Sequence, residues 1–353
     1  MGRDLGHGRV SLDGRSRSLT RHYAVSLMFV AGAMGLLRSP LHGQIPRHGG
    51  VPTGLDLYMP AAEGGLPTGN VVVLGRSLFF DPILSSDSTI ACATCHNPEK
   101  GFSDGKVVAV GVNGRRGTRN VPAIVNRGYG LSFFWDGRAA TLEEQVVMPI
   151  QSGMEMGSNL DDVVDRLTRD AGYSALFRAT HGSDPNRATL ARSLAAYVRT
   201  IRSGASPFDR FMDGDPAALS EMEIEGLRLF QGRARCDKCH LGASLTDEKF
   251  HNTGVAYAND VVSDSGRAAV TGHPGDLGAF KVPTLREVAR TAPYMHDGSL
   301  ETLAGVIEFY DRGGNANPSI DPLLRTLDLS DEEKRALVAF LQTLTGEVWE
   351  GVR

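Results

Sequence analysis

The four cysteines of this 353-residue chain stand in two C-x-x-C-H runs, "CATCH" at Cys92–His96 and "CDKCH" at Cys236–His240. Three chemistries use paired thiols at this spacing. A structural zinc site takes four thiolates, but its halves normally lie about 15–20 residues apart, whereas most of a domain separates these. A thioredoxin-type redox pair opens a helix within a βαβ unit, and no such pattern flanks either run. Covalent attachment of a c-type haem needs the whole five-residue motif: two thiols form thioethers to the vinyl groups, and the following histidine reaches the iron. The full motif occurs twice with no cysteine left over. This points to two haems c, held by Cys92 and Cys95 and by Cys236 and Cys239, with His96 and His240 as proximal iron ligands.

Haem c is attached outside the cytoplasm, and the N-terminus fits export. Arg15, Arg17 and Arg21 precede the apolar run "AVSLMFVAGAMGLL", Ala24 to Leu37, and a polar stretch follows. These are the parts of a secretory signal, expected to occupy 1–43 and to be removed. The run is short for a membrane-spanning helix, so the alternative of an N-terminal anchor is disfavoured and a periplasmic protein without an integral membrane segment is expected. The segment carries six Arg and two Asp, and its loss takes the formal charge from −4 to −8. An acidic chain without a Lys/Arg run argues against nucleic acid and is compatible with a basic protein partner.

Helical periodicity surrounds each haem motif. Leu160, Val163, Val164 and Leu167 mark one helix face, and Leu190, Leu194, Tyr197, Val198 and Ile201 mark another. The Gly-, Pro- and Asp-rich stretch 203–218 separates the two halves. Capping boxes Ser220/Glu223 and Ser330/Glu333 begin two further helices, the first expected to run into the second motif. Leu303, Val306, Ile307 and Tyr310 follow helical spacing, and Gly313 and Gly314 stop that helix. Strand-like alternation is scarce. The expected fold is all-α: two cytochrome c-like domains, 68–204 and 219–346, with long loops at 97–135 and 241–290 wrapping the haems.

An electron carrier fills the open face of its haem with a second His or Met, whereas an enzyme leaves it open. From Asn97 to Thr180 there is no histidine, and only Met148, Met154 and Met156 offer a capping side chain. Two further segments, "FFWDGRAATLEEQVVMPIQSGMEM" (Phe133–Met156) and "RTAPYMHDGSLETL" (Arg290–Leu303), resemble signatures of the bacterial dihaem cytochrome c peroxidase and MauG family. The resemblance runs over about residues 68–346. It implies a peroxide-reactive N-terminal haem, an electron-transferring C-terminal haem, and hydrogen peroxide as a substrate. Carried over by position, Trp135 matches the inter-haem tryptophan and Gln145, Pro149 and Glu155 match the distal pocket, Glu155 as the acid/base residue. Asn120, with the carbonyls of Thr291 and Pro293, matches an inter-haem Ca²⁺ site. His296 matches the motif without an assigned role.

Two departures from the peroxidase pattern bear on function. The loop Lys106–Asn120 lacks the histidine that caps the first haem in many members, which implies an iron that is five-coordinate at rest. Tyr310, seventeen residues after Pro293, stands where peroxidases place a methionine and MauG-like members a tyrosine. A phenolate ligand favours ferric and higher states, whereas methionine favours reduced iron. The MauG-like expectation is a peroxide-generated high-valent oxidant that attacks a tryptophan or tyrosine of a partner protein. The alternative is a peroxidase fed by a small cytochrome or cupredoxin, and a third reading is a dihaem electron carrier. Trp135 and Trp349 are the only tryptophans, and Ala234 occupies the position of the surface tryptophan used by the tryptophylquinone-forming member, so a different target protein is expected.

Overall fold

The computed structural model describes residues 51–59, 69–258 and 261–351, all within one compact unit. The expected export signal lies outside these residues. Among them, no helix is long and apolar enough to cross a membrane.

The fold is helix-rich, and the apolar residues form two cores. The first gathers Leu74, Leu78, Phe79, Val163, Leu167, Phe177, Leu190, Leu194 and Tyr197. The second gathers Leu227, Phe230, Ile307, Leu337, Phe340, Leu341 and Leu344. Each is built around a crossing of two helices, Gly69–Phe80 with Arg187–Thr200 and Glu221–Gln231 with Asp331–Gln342. A glycine permits each crossing. A Cβ on Gly75 would lie 1.9 Å from the Ser193 carbonyl oxygen, and one on Gly226 would lie 2.0 Å from that of Ala336. Only hydrogen fits at either point.

Both expected capping boxes form, at Ser220/Glu223 and Ser330/Glu333. The first of these helices does not run into the haem motif. It ends at Gln231, where the Gly232 N–H bonds back to the Arg228 and Leu229 carbonyls. Arg235 then adopts φ +57°, and Cys236–Lys238 forms a separate 3₁₀ turn. The helix Leu303–Asp311 is capped by Thr302 and closed by Gly313 and Gly314, both at positive φ. Their N–H groups bond to the Tyr310 and Phe309 carbonyls. This is the termination that the glycine pair predicted.

The strands of the described residues form three short antiparallel pairs. In one, Arg202–Gly204 pairs with Glu347–Trp349, which brings the C-terminal tail back to the end of the helix Arg187–Thr200. Ion pairs join the two halves. Arg119 bridges Asp136 and Asp264, and Arg127 holds Glu248 in a fork at 2.6 and 3.0 Å. Arg286, fully buried, meets Asp209 at 2.6 Å and also donates to the carbonyls of Ala243 and Gly54.

Candidate active site

The two C-x-x-C-H motifs line two different cavities, so their four sulfurs do not converge on one metal. Among the described residues, no cluster of three or more His, Cys, Asp or Glu has metal-site geometry. Cys92–Cys95 is one helical turn, which presents both thiols and then His96 to the first cavity. Burial pushes the thiols of Cys92 and Cys236 up to about 12 and that of Cys95 to about 11. Such thiols are poor redox or nucleophilic groups.

The two histidines are held identically. Nδ1 of His96 lies 3.0 Å from the Phe102 carbonyl oxygen, and Nδ1 of His240 lies 3.0 Å from that of Leu245. A carbonyl only accepts, so each Nδ1 carries the proton and each Nε2 presents a lone pair. Burial pushes both imidazoles down to about 4, which keeps them neutral. This is the state required of an axial iron ligand oriented by a second hydrogen bond.

The first cavity, of about 670 Å³, brings together Cys92, Cys95, His96, Gln145, Pro149 and Glu155. Gln145 and Pro149 share the helix Leu142–Gln151, begun by a Thr141/Glu144 capping box. Pro149 lacks an N–H, so the Gln145 carbonyl loses its helical donor. Glu155 follows in the next turn. Burial raises its pKa, against the opposing pull of Arg138 and Ser152. The loop before Asn120 passes directly over this turn, and the Val112 N–H bonds to the Glu155 carbonyl at 2.8 Å. A Cβ on Gly111 would lie 2.2 Å from that oxygen. Ala109, Val110 and Gly111 therefore face the cavity with no ligating side chain. Of the three methionines, Met156 reaches the cavity wall and is buried in the core, while Met154 is exposed.

The second cavity, of about 1620 Å³, brings together Cys236, Cys239, His240 and Tyr310 with Trp135, Asn120, Thr291, Pro293 and His296. Among the described residues the Tyr310 hydroxyl has no hydrogen-bond partner, and burial raises its pKa well above that of an ordinary phenol. Trp135 Nε1 donates to the Asn120 carbonyl at 2.9 Å, and the Asn120 N–H donates to the His296 carbonyl at 2.7 Å. The Asn120 Oδ1 and the carbonyl oxygens of Thr291 and Pro293 accept no hydrogen bond from the described residues. Adjacent residues Ala123 and Ile124 line one cavity each, so the chain here is a shared wall.

Two residues of this site are not legible from the motifs. Lys281 is 8% exposed, lines the second cavity, and lies 3.6 Å from Glu248, which Arg127 already holds. Two buried cations thus share one carboxylate, and burial together with Arg127 pushes Lys281 down to about 7. His251 is clamped by Asp321 at 2.6 Å and Asp247 at 3.2 Å, beside the Cys239 sulfur. An unmatched buried ammonium fits a cavity that receives an anionic group.

A family model described as di-haem cytochrome c peroxidase matches residues 70–217. The chain is 41% identical over 291 residues to the methylamine utilization protein MauG of Methylorubrum extorquens, covering 82% of each. It is 35% identical over 319 residues to the cytochrome-c peroxidase IdrP2 of Denitromonas iodatirespirans, covering 82% of this chain and 84% of that one. The solved structure of a MauG-like protein associated with microbial copper homeostasis superposes with a TM-score of 0.75 at 32% identity, covering 86% of this chain and 95% of that one. The chain belongs to the di-haem cytochrome c peroxidase/MauG family. It is a peroxidase-type oxidoreductase, and membership implies two haems c.

Proposed function

We propose that this is an exported, periplasmic enzyme that uses hydrogen peroxide to oxidise a tryptophan or tyrosine side chain of a partner protein, in the MauG-like manner. The observation that carries this reading is Tyr310, an unpartnered phenol lining the cavity of Cys236, Cys239 and His240. In this reading Cys92, Cys95 and His96 hold one haem c in a cytochrome c-like domain at 68–204. Cys236, Cys239 and His240 would hold the other at 219–346, with Tyr310 as a further iron ligand and Lys281 as a cation in the same cavity.

When bound, the haems supply the iron at which peroxide is reduced and on which two oxidising equivalents are kept. The chain's own residues do the rest. Glu155 takes the proton from one peroxide oxygen and returns it to the other as the O–O bond breaks, and its raised pKa suits it to both steps. Gln145 orients the peroxide, and Pro149 shapes the helix beneath it. Ala109 to Gly111 keep the face open because none of them can ligate. Trp135, fixed through its indole N–H, lies on the second cavity beside the shared wall, where an aromatic ring can relay electrons. Asn120 Oδ1 and the Thr291 and Pro293 carbonyls form an oxygen-only set suited to Ca²⁺.

The test is spectroscopy of the diferric protein before and after hydrogen peroxide. One high-spin five-coordinate haem, one low-spin His/Tyr haem and a persistent two-electron oxidised state are expected. Rapid turnover with a reduced small cytochrome or cupredoxin would favour the peroxidase alternative. Two low-spin haems inert to peroxide would leave only the electron carrier.

A further inference from the structure

The helix crossing of the first core places an aromatic column behind the first cavity. Phe79, 2% exposed, lines that cavity with its ring centroid 6.5 Å from the His96 imidazole. On its other side, 5.0 Å away, lies the ring of Tyr197, which is fully buried. A buried tyrosine needs one partner for its hydroxyl, and a carbonyl or a water would serve. Here the partner is a carboxylate: Tyr197 Oη donates to Glu350 Oε2 at 2.5 Å. Glu350 is delivered by the strand pair of Arg202–Gly204 with Glu347–Trp349. Its second oxygen accepts from Arg76 at 2.9 Å, and Arg76, half exposed, lies over the ring of Phe80 at 4.7 Å. Phe80 is 36% exposed and packs on both Phe79 and Tyr197. The column therefore runs from the cavity to the surface and ends on a hydrogen-bonded base.

We propose that Tyr197 is a redox-active tyrosine, an exit for oxidising equivalents from the first cavity to the surface around Phe80, Arg76 and Glu350. One electron passes from Tyr197 through the Phe79 contact to the peroxide-oxidised centre in the first cavity, which is reduced by one electron. The Tyr197 O–H bond breaks, its proton moves to Glu350, and a neutral tyrosyl radical and a protonated carboxyl result. A partner phenol or indole docked at the surface refills the radical with one electron, and the proton returns from Glu350. Burial and Glu350 both raise the Tyr197 pKa strongly, so the group remains a phenol until an electron leaves. Phe79 serves only as packed contact, since a phenyl ring is too hard to oxidise. Tyr173 also donates to a carboxylate, Asp81, at 2.8 Å, but no ring contact links it to the cavity. It is an internal control.

The inference rests on the peroxide-reactive reading of the first cavity, and the experiment separates the two. The diferric holoprotein is mixed with one equivalent of hydrogen peroxide and followed by optical spectroscopy and freeze-quench EPR. Wild type and Tyr173→Phe are expected to give a tyrosyl radical signal that Tyr197→Phe reduces to background. Glu350→Gln, which keeps the shape but removes the base, should slow its appearance, and deuterium oxide should slow it in wild type. Tyr197→Phe removes one oxygen, and an unchanged Soret spectrum confirms that it folds. A full optical response to peroxide without a tyrosyl signal, or a signal that survives Tyr197→Phe, overturns this inference alone. No optical response at all overturns both readings.

Discussion

The sharpest quantitative consequence concerns Tyr310. Its hydroxyl has no partner among the described residues, and burial raises its pKa above the ordinary phenol value of about 10. At about pH 7 such a group stays a phenol unless ferric iron holds the phenolate, which then requires at least about three decades of stabilisation. If ferrous iron lets the phenol go, only ferric binding beyond those three decades shows in the potential, and each further decade lowers the second haem's potential by ~59 mV at neutral pH. Burial raises the threshold, because it makes the free phenolate costlier. Reduction also takes up the phenol proton, so the potential should fall by ~59 mV for each pH unit through the neutral range. Tyr310→Phe should raise the potential and abolish the slope. Tyr310→Met should raise it further, since a thioether favours reduced iron. The assay is a spectroelectrochemical titration of the second haem at several pH values. A Tyr310→Phe potential within ~60 mV of wild type, with the slope intact, would refute the ligand assignment.

Four further outcomes are expected. Glu155→Gln should slow the bimolecular reaction with peroxide by roughly 10²–10⁴-fold in stopped flow, the span of a general acid–base group. Because burial raises the Glu155 pKa and the first step uses the carboxylate, the wild-type rate should fall as pH drops through that raised value, above the usual carboxylate range. Asn120→Ala should strip Ca²⁺ from the holoprotein by elemental analysis, while a wild type that carries none would remove the assignment. Arg286→Met leaves Asp209 buried without its cation, at a cost of about 3–5 kcal/mol. For a protein of this size that lowers the thermal midpoint by roughly 5–10 °C, measured by circular dichroism on the holoprotein.

What the sequence disclosed follows from how locally each feature is determined. Capping boxes, helix faces and the Gly313–Gly314 stop depend on residues within a turn or two, and each forms as expected. The end of the helix at Gln231 was missed because amphipathic spacing continues through Leu229 and Phe230 while Gly232 breaks the backbone. The grouping of Gln145, Pro149 and Glu155 with His96 came from resemblance, since those residues lie far apart along the chain from the motif they face. Lys281 and Tyr197 carried no signal at all. One lies in an ordinary "FKVPT" run and the other on a helix face where tyrosine reads as core. Their significance comes from a net buried charge and a carboxylate brought from residue 350, which only the tertiary structure supplies.

Two copies of one motif end in cavities of different chemistry, and the difference lies in what each cavity offers a proton. Both contain a carboxylate. In the second it is Asp321, held at 2.6 Å by His251, which Asp247 also meets at 3.2 Å. That carboxylate is already hydrogen-bonded to an imidazole, whereas among the described residues no cation pairs directly with the one in the first cavity. In the first it is Glu155, whose pKa is displaced upward by burial and not downward by a dedicated cation. Arg138, the cation that opposes this shift, is itself tied to Asp136 by two contacts of 3.0 Å. This contrast supports the proposed assignment of proton-coupled peroxide cleavage to the first cavity. In that proposal the second, with a phenol in place of a mobile carboxylate and Trp135 on its wall, exchanges electrons with it.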